Sequence, residues 1–249
     1  LVYLVEFCLI WFFILNIVDN MNINVLQPIK QDTLSEHVFQ QIKEDIITGV
    51  IPQGQKIGET DLAKSYDISR GPLREALHKL ESIQLVDRRP HSGTRVITLD
   101  CAMMRDVYQM REAMEGFAVR LACIAMSQSD IDNLYRLLEK HEATIKQSDG
   151  KQYFQKEGDL DFHYYIFSKC QNQWLINYLN NKLYQVLRMC RHRTSQIPFR
   201  VEPALHDHYA IVNAIDNRDP ELAEILMRRH ISGAWKILEN LLNKEEIEE

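Results

Sequence analysis

The chain has 249 residues, of which 45% are hydrophobic and 26% charged, with nine glycines and seven prolines. This suits two modest globular domains and excludes collagen-like, low-complexity and disordered classes. The net charge of −6, taken as a global figure, speaks against a nucleic-acid binder. Residues 1–18 are apolar except for Glu6 and Asn16, barely the length that spans a bilayer. No Lys or Arg precedes Lys30 and no small-residue cleavage site follows, so basic flanks and signal-peptide features are both missing. Met21 opens a polar stretch leading into a capped helix. The expectation is that residues 1–20 are an upstream extension outside the native protein, and not a membrane anchor. Cys8, Cys101, Cys123, Cys170 and Cys190 show no CxxC spacing, which excludes a zinc ribbon or disulfide scaffold and suits a reducing cytoplasm.

From Thr33 the helical period is plain. Leu34, Val38, Ile42 and Ile46 recur every four residues, and Thr33 with Glu36 has capping-box spacing. Gly49 ends this helix and Pro52-Gln53-Gly54 turns the chain. A short helix over about 60–66 buries Leu62, Ala63 and Tyr66; Asp67-Ile68 connects it to a third helix capped by Ser69. That helix buries Leu73, Ala76, Leu77 and Leu80. Strand-like pieces at Leu85–Arg89 and Thr94–Thr98 follow, joined by Pro90-His91-Ser92-Gly93. This order predicts a winged helix-turn-helix over 31–98. Beyond Asp100 the pattern is wholly helical, with candidate helices at 101–126, 129–147, 151–169, 173–194, 203–217 and 219–242. The fold class is therefore mainly α: an N-terminal winged helix-turn-helix, then an all-α domain over 103–240.

The second helix of such a motif puts its N-terminal residues against base edges in the major groove. Here these are Ser69, Arg70, Gly71 and Arg74; the two arginines share a face away from the Leu73/Leu77/Leu80 stripe. Guanidinium groups can bind guanine O6 and N7 bidentately. Gly71 permits close approach of the duplex, and Thr60 can donate to phosphate. Arg88, Arg89, His91 and Arg95 surround the Gly93 tip and suit phosphate or minor-groove contact. Residues 69–95 carry six basic against three acidic side chains, so the strip facing DNA is locally basic although the chain is acidic.

In the helical part, Asp159 and His163 stand four apart on one helix face, and two further histidines, His208 and His230, lie on the last two helices. His206 competes with His208, from which it cannot share a face. One carboxylate and three imidazoles suit Zn²⁺, with Ni²⁺ or a similar divalent ion as the alternative. Arg111 and Arg188 are candidates for a carboxylate clamp, or else for ion pairs.

Residues 34–98 resemble the DNA-binding domain of the GntR family of bacterial transcription regulators. The resemblance rests on ITGVIPQGQKIGETDLAKSYDISRGPLREALHKLESIQLV and RRPHSGTRV, above all on SRGPLREAL. It implies base or phosphate contacts by Arg70, Gly71 and Arg74, and a wing tip containing His91 and Gly93. Two positions depart from the pattern: Thr60, where some relatives place a DNA-contacting arginine, and Gln53, where proline is usual. Residues 103–240 are similar to the FCD ligand-binding domain of the FadR-type branch. The pattern appears in Arg111 with Glu115, in Asp159, Phe162 and His163 trailed by Asn172, and in the final pair His208 and His230. It implies a metal held by Asp159, His163, His208 and His230, and a small organic acid bound near Arg111, Asn172 and Arg188. The implied protein is a cytoplasmic homodimer with no enzymatic activity, a repressor of a near-palindromic operator in double-stranded DNA, without a membrane partner. The rival readings are a metal-dependent hydrolase using the Asp/His₃ set, which leaves the winged helix without a purpose, and a membrane-tethered sensor, which depends wholly on residues 1–20.

Overall fold

A computed structural model of the protein describes residues 33–89, 93–148, 158–194 and 201–248. The apolar leader, residues 149–157 and His91 at the wing tip therefore lie outside the described residues.

The head begins with α1 (Leu34–Ile47), whose Val38, Ile42 and Ile46 stripe is buried as its period predicts. Gly49 turns the chain out of the helix at φ +78°, a left-handed conformation that disfavours a Cβ. Then come β1 (Lys56–Ile57), α2 (Glu59–Ser65), α3 (Arg70–Ser82), β2 (Val86–Arg89) and β3 (Gly93–Val96). Leu73, Ala76, Leu77 and Leu80 of α3 are completely enclosed. Tyr66 is only half-buried, its hydroxyl donating to Asp45. The strands form an antiparallel sheet in the order β1-β3-β2, with Lys56 opposite Arg95 and Arg88 opposite Thr94. β1 was not expected, because two residues carry no readable alternation. The expected strands are also trimmed, to Val86–Arg89 and Gly93–Val96.

The helical domain comprises α4 (Cys101–Ala125), α5 (Gln128–Ser148), α6 (Gly158–Ser168), α7 (Gln173–Tyr178), α8 (Tyr184–Thr194), α9 (Val201–Asp216) and α10 (Pro220–Glu248). Asp100 caps α4 by accepting from the Met103 amide at 2.7 Å. Ser127 and Asp130 close a reciprocal capping box at α5: Asp130 accepts from the Ser127 amide at 3.0 Å and Ser127 Oγ from the Asp130 amide at 3.2 Å. The single helix expected over 173–194 is interrupted by a π-helical turn, Leu179–Leu183. Helices α4 and α10 run antiparallel, tied by Arg105–Glu239 at 3.3 Å and Arg120–Glu221 at 3.3 Å.

The head rests on the bundle through one apolar core. Val186, Met189 and Cys190 of α8 and Leu238 and Leu242 of α10 join Ile42, Ile46, Leu77 and Leu80 of the head. No helix among the described residues is long and apolar enough to cross a membrane.

Candidate DNA-reading surface and metal centre

Helix α3 starts from Ser69, which holds the N-cap position in extended backbone without a side-chain capping bond. Its two arginines are both held from α2. Arg70 Nη2 donates to Thr60 Oγ1, and Arg74 Nε donates to Glu59 Oε2 at 2.8 Å. Thr60, expected to donate to phosphate, accepts from Arg70 through the same hydroxyl, whose own proton remains a donor. A Cβ at Gly71 would meet nothing within 4 Å, so the space beside the helix start is open. Arg88 lies 2.9 Å from the His78 ring and 3.9 Å from both Glu59 and Glu81. Arg89 pairs with Asp87 at 2.7 Å, while Arg95 donates to the Gly54 carbonyl and so ties the wing to the turn before β1. Gly93 has φ +82°, which requires glycine at the start of β3.

In the bundle, His163, His208 and His230 are buried, and one ring nitrogen from each lies within 4.8 Å of the others. They come from α6, α9 and α10. His208 Nε2 and His230 Nε2 stand 3.2 Å apart, close to the roughly 3.3 Å that separates two imidazole ligands on a tetrahedral zinc ion. Two of the outer nitrogens are buttressed by carboxylates. His230 Nδ1 contacts Asp207 Oδ2 at 3.1 Å, and His163 Nδ1 lies 2.6 Å from Glu115 Oε2. Carboxylates on the outer nitrogens fix ring orientation and make the inner nitrogens better donors to a cation. Phe162 stacks on His208 with ring centroids 3.9 Å apart. The donor set and its packing therefore fit a divalent transition metal. His206 is exposed and His208 enclosed, which resolves the choice between them. Asp159 lies on α6 one turn before His163; its side chain is outside the described part.

Beside this cluster is a narrow cavity lined by Arg111, Glu115, His163, Phe167, Leu179, Leu183, Tyr184 and Leu187. Its volume is about 10 Å³, the space of a single water molecule. Arg111 Nε donates to Glu115 Oε1 at 2.6 Å, with both side chains buried. Burial opposes the charged form of Glu115, but Arg111 and His163 outweigh it and draw the carboxyl down to about 2. The two other expected effector contacts are not brought to this cavity. Asn172 caps α7, accepting from the Leu175 amide at 3.1 Å. Arg188 makes two bonds of 2.8 Å to the Glu44 carboxylate on α1, so its charge serves the junction between bundle and head. Glu59 and Asp207 were missed because their partners are 15 and 23 residues away and no local spacing signals such pairs.

A helix-turn-helix with a wing, resting on a helical bundle that encloses a histidine cluster, defines a DNA-binding regulator with a helical second domain. Residues 34–96 match the gntR family of bacterial regulatory proteins and residues 106–233 match the FCD domain. The chain belongs to the GntR family, as a transcriptional regulator with an FCD domain. It is 28% identical over 207 residues to a probable D-xylose utilization operon transcriptional repressor of Paenarthrobacter nicotinovorans, covering 81% of this chain and 87% of that one. It is 28% identical over 208 residues to the gluconate operon transcriptional repressor of Bacillus licheniformis, covering 80% and 84%. The fold is shared with E. coli McbR/YncC at a TM-score of 0.68 and 19% identity, covering 86% of this chain and 99% of that one. The families and relatives are regulators and not enzymes, and nothing among them supports the hydrolase alternative.

Proposed function

We propose that the protein is a cytoplasmic, homodimeric repressor whose grip on a near-palindromic operator is controlled by a small organic acid bound at a metal in the FCD domain. The observation that carries this reading is the buried His163, His208 and His230 cluster beside the arginine-lined cavity. The three histidines, with Asp159 from the same helix as His163, would hold the metal, zinc before nickel. A divalent ion there would supply a Lewis-acidic position for a carboxylate oxygen. Arg111 would complement the acid's remaining charge. Ser69, Arg70, Gly71 and Arg74 would read the major groove, while Thr60 would support Arg70; Arg88, Arg89, His91, Gly93 and Arg95 would meet the backbone or the minor groove.

Helix α8 connects the two activities. Tyr184 and Leu187 line the cavity, Val186, Met189 and Cys190 enter the head's core, and Arg188 grips Glu44. An organic acid exceeds a space of about 10 Å³, so its entry requires side chains beside α8 to move, and the head with them. Affinity for DNA then changes only as far as the acid prefers one arrangement over the other. The test is a thermal-shift screen of organic acids on metal-loaded and chelator-stripped protein, followed by DNA binding with each hit. A hit should raise the unfolding temperature only with metal present and should weaken operator binding. The variant carrying His208→Ala and His230→Ala should lose bound metal, as measured by elemental analysis, and lose the response. Retention of both would refute the sensory site.

A further inference from the structure

We propose that the first turn of α2 is a positioning platform for the recognition arginines, with Glu59 setting Arg74 and Thr60 setting Arg70. The inference rests on reading α3 as the helix that enters the major groove. An unheld arginine side chain samples many rotamers, whereas bidentate contact with guanine requires one orientation of a rigid, planar fork. Glu59 Oε2 accepts from Arg74 Nε at 2.8 Å. This engages the side edge of the guanidinium, so its two terminal nitrogens can be presented to a base. Thr60 Oγ1 accepts from Arg70 Nη2 one residue further along, so two consecutive residues of one helical turn control both arginines.

The exposure of the pair points to orientation as its role. Arg74 is 58% and Glu59 27% exposed, and ion pairs this open add little to stability. Glu59 is also acidic on a surface that would approach phosphates, where its charge opposes binding. Its other oxygen lies 3.9 Å from Arg88 Nη2 at the base of the wing, so one carboxylate stands between the recognition helix and the wing. The charge of Glu59 therefore lowers general affinity for DNA while its acceptor oxygen raises discrimination. These two effects have opposite signs and can be separated.

The probes are a duplex selected by the full chain from randomised DNA and a scrambled duplex of equal length. The quantity read is the ratio of the two affinities. Glu59→Ala should tighten binding to the scrambled duplex and reduce the ratio about tenfold, the scale of one bidentate base contact. Glu59→Gln should tighten scrambled binding to the same extent yet keep most of the ratio, because its amide oxygen still accepts from Arg74 Nε. Thr60→Val, which leaves the charge at the helix start untouched, should reduce the ratio about threefold through Arg70, and Thr60→Ser should restore it. Unfolding temperatures check that each variant folds. The proposal is overturned if Glu59→Ala keeps the ratio, or if Ala and Gln lose it equally. Arg74→Ala separates this from failure of the underlying reading: an intact ratio there would remove α3 as the recognition helix. Loss in Arg74→Ala with none in Glu59→Ala would remove only the platform.

Discussion

The DNA-reading surface and the sensory bundle each hold an arginine by its Nε against a glutamate. Arg74–Glu59 is 2.8 Å long with side chains 58% and 27% exposed, and Arg111–Glu115 is 2.6 Å long with side chains 3% and 5% exposed. The chemistry is the same and the surroundings are opposite. In water the pair gains little, and under the platform proposed above its consequence would be direction, the guanidinium being aimed where a base would lie. Inside the bundle each charge has lost its hydration, so each exists only because the other is present. Glu115 also meets His163, which makes the buried pair part of the histidine cluster's support. The head thus leaves its charges open to solvent and to a partner, and the bundle uses them to hold a cavity wall.

The sharpest way to break this contrast is to remove one buried partner. Glu115→Ala should cost about 3–5 kcal/mol of stability by leaving the Arg111 charge without compensation, as measured by denaturant unfolding. A loss below 1 kcal/mol would show that the two pairs do not differ in kind. Arg70→Ala, on the exposed surface, should leave unfolding within about 0.5 kcal/mol of the parent. It should nevertheless remove about 1–3 kcal/mol of operator discrimination. Unchanged discrimination would reject its assignment to the recognition face.

Between these extremes lies Asp130, whose carboxylate meets Lys169 at 2.7 Å and the capping box at Ser127. Its bonds to Lys169 and Ser127 hold its carboxyl far below the usual carboxylate range. A depressed folded value means stability that is complete above the unfolded carboxylate range near pH 4 and lost as the pH falls towards the folded value. Asp130→Asn should therefore cost about 1 kcal/mol at pH 7, and the gap from the parent should close as the pH drops below 4. A gap that stays constant down to pH 2 would show that the charge is not what stabilises this helix start.

The contrast also explains what could be read from the sequence. Apolar stripes report their own helices, so the Val38/Ile42/Ile46 and Leu73/Leu77/Leu80 faces were legible, and with them the head. The fourfold spacing of Asp159 and His163 and the placing of His208 and His230 were legible for the same reason, although enclosure of the cluster was not. Lys56–Ile57 is too short to show a period, and the π-helical turn at Leu179–Leu183 keeps the composition of a helix. Pairs between distant segments leave no local trace. Arg188 reads equally well as a clamp or an ion pair until the fold brings Glu44 to it.

That pair is small in expected energy and open to a decisive experiment. Arg188 is 18% and Glu44 43% exposed, so Arg188→Ala should cost no more than about 1 kcal/mol of stability. If α8 carries the effector signal, the same substitution should leave metal content and basal operator affinity near the parent while blunting release by the acid. The reversed pair, Arg188→Glu with Glu44→Arg, should recover part of the response, because the interaction between the two positions is what matters. Full response in Arg188→Ala would show that the signal passes through the Val186, Met189 and Cys190 contacts instead. Loss without recovery in the reversed pair would show that Arg188 acts on something other than Glu44. Either result would locate the coupling more narrowly than removing the metal, which disables the sensor as a whole.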